Sequence, residues 1–181
     1  MAKRIGIPLV LASLALFAYS GTAAATGANG NHDTYHFYIG VEGLVEGPDV
    51  ATAQDGSSVA LVGSGQLNAG PSKSATGTGT YVLKDSAGQT TGTGTWWVTG
   101  MLGFVSYGNA TPEGLPDFFF GGLAKLRVSL SNGSDGVLTI FCLLGVPPAG
   151  MEEGVNLELA NGGNYTMQAG GQNLFSSIAL T

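Results

Sequence analysis

The chain has 181 residues, 31 of them glycine, and carries 12 acidic against 6 basic side chains. A net charge of −6 disfavours nucleic acid and anionic membrane surfaces, because phosphate binding needs clustered Lys and Arg. The single cysteine, Cys142, excludes an intramolecular disulfide.

Residues 1–25 read as a cleavable signal peptide. Lys3 and Arg4 form a basic start, Ile5 to Tyr19 an apolar run, and Ala23-x-Ala25 the small residues that a signal peptidase accepts. The apolar run is shorter than the ~20 residues of a spanning helix, so cleavage is expected rather than anchoring. The protein is therefore expected to be secreted, extracellular or periplasmic, with no membrane span after cleavage. Removal of the leader leaves four basic residues (Lys73, Lys84, Lys125, Arg127) against twelve acidic ones, a formal charge of −8. Residues 26–34 are expected to form a flexible arm and residues 35–181 one β domain of a size that supports its own core.

Beyond residue 30, no segment keeps apolar residues at helical spacing for three turns without glycine, whereas strand signals recur. His32 and His36 open the domain. On a strand, four-residue spacing sets them ~13 Å apart on one face, too far to share a metal ion. No metal and no cofactor is assigned. Phe37, Ile39 and Val41 alternate with Tyr38, Gly40 and Glu42, as in a half-buried strand. The turn Asp55-Gly56 precedes a further strand from Ser58 to Leu67.

An internal repeat follows. Gly63-Ser64-Gly65-Gln66-Leu67, Gly77-Thr78-Gly79-Thr80-Tyr81 and Gly92-Thr93-Gly94-Thr95-Trp96 share the pattern Gly-[Ser/Thr]-Gly-x-large apolar. Residues two apart share a strand face, so each copy sets two glycines and then a large side chain on one face. The opposite face carries Ser64, Gln66, Thr78, Thr80, Thr93 and Thr95. The spacing predicts three neighbouring antiparallel strands with a glycine row across them, which lets the sheet coil or another layer approach closely. A phosphate-cradling role is not supported, because Lys and a following helix are both missing.

Trp96 and Trp97 are adjacent on a strand and must face opposite ways. With Phe104, Tyr107, Phe118 and Phe120 they are the candidate ligand-binding residues, as the aromatic mouth of an apolar pocket; an exposed Trp could instead stack on sugar.

Ala124, Leu126, Val128 and Leu130 then alternate with Lys125, Arg127 and Ser129. Asn132-Gly133-Ser134-Asp135-Gly136 turns this strand back into Val137 to Leu144, a predicted hairpin. Cys142 lies inside that run and is read as a small buried hydrophobe. Val155, Leu157 and Leu159, then Tyr165 to Ala169, then Leu174 to Leu180 supply the closing strands. The fold expected is all-β: an antiparallel meander closing into a small barrel of about eight strands, with a sandwich as the alternative.

Catalytic signals are absent from the pattern. No Gly-x-Ser-x-Gly elbow occurs, and no catalytic residue is assigned. Glu42, Glu46 and Asp49 cluster in sequence, as do Glu152 and Glu153; they are read as solvated loop acids, with Glu42 and Glu158 as the strand-borne carboxylates that could enter a barrel.

Asp55-Gly56, Gly63-Ser64-Gly65, Gly77-Thr78-Gly79, Gly94-Thr95-Trp96 and Tyr107-Gly108, followed by Leu126 to Gly133 and Leu138 to Cys142, resemble a group of small secreted, mostly uncharacterised β proteins. The meander is more distantly similar to the barrel of allene oxide cyclases and dirigent proteins. That resemblance implies an eight-stranded antiparallel barrel with a cavity for a small apolar molecule, and it carries over no functional residue. The function expected is a non-catalytic barrel binding a small hydrophobic ligand. The alternatives are a structural or cell-surface interaction protein and, behind both, a cyclase- or isomerase-type enzyme.

Overall fold

The computed structural model describes residues 32–180, so the leader lies outside the described residues. The chain is all-β. Its strands are β1 (Thr34–Ile39), β2 (Asp49–Ala53), β3 (Ser58–Asn68), β4 (Ser74–Lys84), β5 (Thr90–Asn109), β6 (Phe119–Leu130), β7 (Asp135–Cys142), β8 (Gly154–Leu159), β9 (Asn164–Gly170) and β10 (Asn173–Ser176). A single 3-10 turn at Thr111–Glu113 joins β5 to β6. Every pairing is antiparallel.

Four long strands, β3 to β6, form a meander, and its first three are the neighbours that the repeat predicts. Each of its two edges is shared by two shorter strands laid end to end. Along β3, residues 58–61 pair with β2 and residues 63–68 with β1. Along β6, residues 122–129 pair with β7 and residues 119–120 with β10. The order β2-β9-β8-β7 bridges one pair of these, and β1-β10 bridges the other. The ten-stranded sheet thereby closes on itself through a ring of eight strands that is not evenly barrel-shaped. Between the two bridges runs a seam, where β2 begins and β10 begins.

The glycine row spans β3 and β4 and stops there: Gly92 and Gly94 of β5 pair with Leu83 and Tyr81, and Trp96 takes the place beside Gly79, because β5 is displaced by the length of its turn. Gly63 pairs with Gly79 and Gly65 with Gly77 across β3 and β4. A Cβ on Gly79 would stand 2.7 Å from Trp96 Nε1, and one on Gly77 2.6 Å from Phe37 Cζ. The row therefore seats two rings and also brings the β3 and β4 backbones close, since a Cβ on Gly79 would meet the Val62 carbonyl as well as the Trp96 ring. Trp96 Nε1–H also donates to the Val62 carbonyl at 3.3 Å, so its buried polar atom is satisfied. Leu67, Tyr81 and Trp96, which end the three repeats, are all buried, as their position on the glycine face requires.

The ring is packed with side chains. Phe37, Trp96 and Phe175 are its largest wholly buried members, joined by Leu61, Leu126, Leu130, Leu138, Ile140 and Leu157. The alternation in β6 buries Ala124, Leu126, Val128 and Leu130 and leaves Lys125 and Arg127 outside. The β6–β7 hairpin forms at the expected residues, with Gly133 N–H donating to the Leu130 carbonyl at 2.9 Å. β1 is shorter at its end than the alternation to Glu42 suggests. Gly40 has a φ of +53° and turns the chain out of the sheet, so Val41 and Glu42 lie in the connection to β2. At its other end Thr34 already belongs to the strand, and the His32 ring packs 5.3 Å from Phe120.

Candidate functional site

The aromatic residues singled out by sequence separate in space. Trp96 is 1 % exposed and sits in the ring, whereas Trp97 is 43 % exposed on the outside, as adjacent strand positions demand. Phe104 packs on Tyr35 at 4.7 Å and on Phe175 at 5.2 Å between centroids. Phe120 packs on Tyr35 at 5.3 Å. Tyr107 is buried where the Val146 N–H donates to its carbonyl. Phe118 packs on Phe119 at 4.6 Å. These residues are shared between the interior, the outer face and the β5–β6 connection, and they do not converge on one cavity.

A cavity opens instead beside the seam. It has a volume of about 500 Å³, within the range of small-molecule sites. Leu44 and Val45 from the β1–β2 connection, Leu115 from the β5–β6 connection, Phe119 at the start of β6, and Leu143, Leu144 and Leu174 provide most of its wall. Its polar lining comes from Glu153, Gln172 and Asn173, with the Cys142 thiol beside them.

The acids of this region correct the reading of solvated loop carboxylates. Asp49, the first residue of β2, is 0 % exposed. Glu153, just before β8, is half-buried in the cavity wall. One member of each sequence cluster has thus been drawn into the seam. Glu42 and Glu158, the carboxylates expected to enter the barrel, are exposed. For Glu158 the cause is phase, because the buried side chains of β8 are Val155 and Leu157. For Glu42 it is the early end of β1.

Glu153 ties three elements together. Its Oε2 accepts from the Leu143 N–H at 2.7 Å, after β7, and its Oε1 accepts from the Asn173 N–H at 2.9 Å, at the start of β10. Asn173 also donates through Nδ2 to the Phe141 carbonyl at 3.2 Å. Asp49 is less well served: both its carboxylate oxygens, and Asn173 Oδ1, are buried with no hydrogen bond of good geometry among the described residues, although the Asn173 side chain and the Val50 and Val155 N–H groups stand close enough to act on the carboxyl. Burial, then the neighbouring Glu153 charge, pushes the Asp49 carboxyl up to about 7, with the Asn173 side chain opposing the shift. Burial likewise raises the Glu153 carboxyl, opposed by its two backbone N–H donors. Burial and the Glu153 charge push the Cys142 thiol up to about 12, which fits a small buried hydrophobe.

Among the described residues, no cluster of His, Cys, Asp and Glu has the makings of a metal site, and no helix is long and apolar enough to cross a membrane. The site can hold an apolar body against leucine side chains and can accept hydrogen bonds at its polar end. Sequence reasoning missed it because Asp49, Glu153 and Asn173 meet only through strand order. The one local signal was an acid pair, Glu152-Glu153, followed directly by an alternating strand. No protein-family model, curated protein or solved structure matches this chain.

Proposed function

We propose that this chain is an exported, non-catalytic β protein that binds a small hydrophobic ligand in the cavity beside the seam. The observation that carries the reading is a leucine-lined cavity of about 500 Å³ with a few polar groups gathered at Glu153, Gln172 and Asn173. Apolar walls with sparse, fixed polar groups are the usual composition of small-molecule sites. The interior of the ring is taken up by Trp96, Phe37 and their neighbours, so the ligand sits at the side of the ring. The resemblance to allene oxide cyclases and dirigent proteins, which implies a cavity for an apolar molecule, agrees with this reading in kind.

Displacement of an environment-sensitive apolar dye by a panel of medium-chain alcohols tests it. Saturable displacement that is abolished by Leu174→Trp, which fills the cavity, is expected. Displacement unchanged in that variant, or none at all, contradicts the reading.

One observation favours a second reading. A carboxyl poised near neutrality, as Asp49 is, suits general acid–base chemistry of an isomerase type. Asp49 does not itself line the cavity, whereas Glu153 does. Recovery of a bound ligand chemically altered would favour this reading over pure binding.

A further inference from the structure

The outer face of the sheet carries an arrangement separate from the cavity. One row of paired residues crosses five strands: Ser64 of β3, Thr78 of β4, Trp97 of β5, Ser129 of β6 and Asp135 of β7. Directly paired residues share a face, with Cβ atoms ~5 Å apart. Trp97 is the one large apolar member of this row, and it is exposed. Thr95, two residues before it on the same face, pairs with Thr80. Hydroxyl groups therefore flank the ring both across the sheet and along its own strand.

A depression of about 450 Å³ adjoins the row on the β6–β7 side, and Thr99, Arg127, Ser129 and Asp135 supply its polar lining. Thr99 reaches it because β5 bulges there: Val98 pairs with Val128 and Gly100 with Arg127, which leaves Thr99 as the extra residue. The Ser129 hydroxyl donates to Asp135 Oδ1 at 2.5 Å and holds the exposed carboxylate in place. Arg127 supplies donors, Asp135 acceptors, and the two hydroxyls can do either. The lining carries one charge of each sign, so it suits a ligand without net charge.

A flat aromatic face bordered by hydroxyls and an opposed Arg and Asp matches a pyranose ring with equatorial hydroxyls. The C–H groups of such a ring form a flat apolar face, and its hydroxyls, each both donor and acceptor, stand around the edge. A protein partner would call for an apolar surround at the tryptophan, whereas the nearest residues on this face are Thr78, Thr95 and Ser129. We propose that the outer face binds neutral β-linked glucan oligosaccharides, one ring stacked on Trp97 and the hydroxyls of the next on Ser129, Asp135 and Arg127. This site shares no lining residue with the cavity beside the seam.

Iodide quenching of tryptophan fluorescence with cellohexaose, and with the anionic hexamer of galacturonic acid, tests it. Cellohexaose is expected to shield the exposed tryptophan saturably, and the anionic hexamer to bind at least about tenfold more weakly. In titration calorimetry, Trp97→Ala should weaken cellohexaose by about tenfold or more, the loss of roughly 1.4 kcal/mol of stacking. Arg127→Met and Asp135→Asn should each weaken it by at least about threefold. Trp97 and Arg127 are exposed, so an unchanged urea midpoint is expected to show that their variants fold. Leu174→Trp, which fills the cavity, should leave cellohexaose affinity within about twofold. Absence of shielding, equal binding of the anionic hexamer, or affinity unchanged in Trp97→Ala overturns the proposal while the cavity reading stands. Cellohexaose binding abolished by Leu174→Trp places the sugar in the cavity and overturns it as well.

Discussion

Asp49 and Asn173 begin two strands, β2 and β10, at the seam, and the Asn173 side chain acts on the wholly buried Asp49 carboxyl, holding down a pKa that burial raises. The relationship follows from how the ring is closed. The long edges of β3 and β6 are each served by two short strands, and the bridging strands that meet them leave a gap in which side chains, not a backbone ladder, must meet the needs of polar groups. Glu153 does so for the backbone of Leu143 and Asn173. Asp49 has only the Asn173 side chain and the Val50 and Val155 N–H groups near it, none in good hydrogen-bond geometry.

The pH dependence of stability follows from that burial. Below about pH 4, Asp49 is protonated in both the folded and the unfolded chain. Above it, the unfolded chain ionises while the folded one holds its proton until about pH 7, so the unfolded state binds fewer protons across that window. Stability therefore falls as pH rises, by at most about 1.4 kcal/mol per pH unit from this group, and levels off above about pH 7. The raised Glu153 carboxyl acts in the same direction. Asp49→Asn stays neutral and removes the larger share. Its urea midpoint is expected to match the parent's at pH 4 and to exceed it at pH 8; equal midpoints at pH 8 contradict the account.

The glycine seats make a steric prediction. Gly77→Ala pushes a methyl group into the Phe37 ring, at 2.6 Å from Cζ before relaxation, and Gly65→Ala pushes one against both the Phe37 ring and the Thr76 carbonyl of the next strand. Overpacking of this kind costs about 1–3 kcal/mol, read as a lower urea midpoint. Gly88→Ala meets nothing within 4 Å but has a φ of +78°, so its cost is backbone strain alone and serves as the contrast.

The two tryptophans should part in fluorescence quenching. Trp97 is exposed and Trp96 is not, so iodide should quench one component only. Trp97→Phe is expected to remove the quenchable component and change stability by no more than about 0.5 kcal/mol. Trp96→Phe should lose the Val62 hydrogen bond and cost more. Two quenchable components in the parent contradict the assignment of faces.

Cys142 should be inert in the native protein. With its thiol pushed up to about 12, roughly one molecule in ten thousand carries the thiolate at pH 8. Labelling by a disulfide reagent is expected to be more than a hundredfold slower in buffer than in denaturing urea. Comparable rates would mean that the β7 end of the seam is open.

What could be read from the sequence was local. The phase of Gly63 to Leu67, Gly77 to Tyr81 and Gly92 to Trp96 sets the faces, because a period of two needs no tertiary information; it does not set the register, and the third copy falls out of the glycine row, with Trp96 opposite Gly79. The same holds for Ala124 to Leu130 and the turn at Gly133. Grouping Phe104, Tyr107, Phe118 and Phe120 by nearness in sequence worked less well, because β5 shifts register three times against β6 and the chain then reverses through Thr111–Glu113, so nearby residues point to different places. Asp49, Glu153 and Asn173 are far apart in the chain, and each alone looks like an ordinary turn or loop residue. Their meeting depends on β10 lying beside β1 and on β9 lying beside β2, and no local pattern encodes either.

The central claim is that the cavity beside the seam, and not the interior of the ring, receives the ligand. Proton–nitrogen correlation spectra recorded through a titration with octanol test it most directly. The account predicts saturable shifts concentrated at the backbone amides of Val45, Leu143, Asn173 and Leu174, with the Trp96 indole signal unmoved. Shifts centred on the Trp96 indole and the Phe37 amide, or none that saturate, would contradict it.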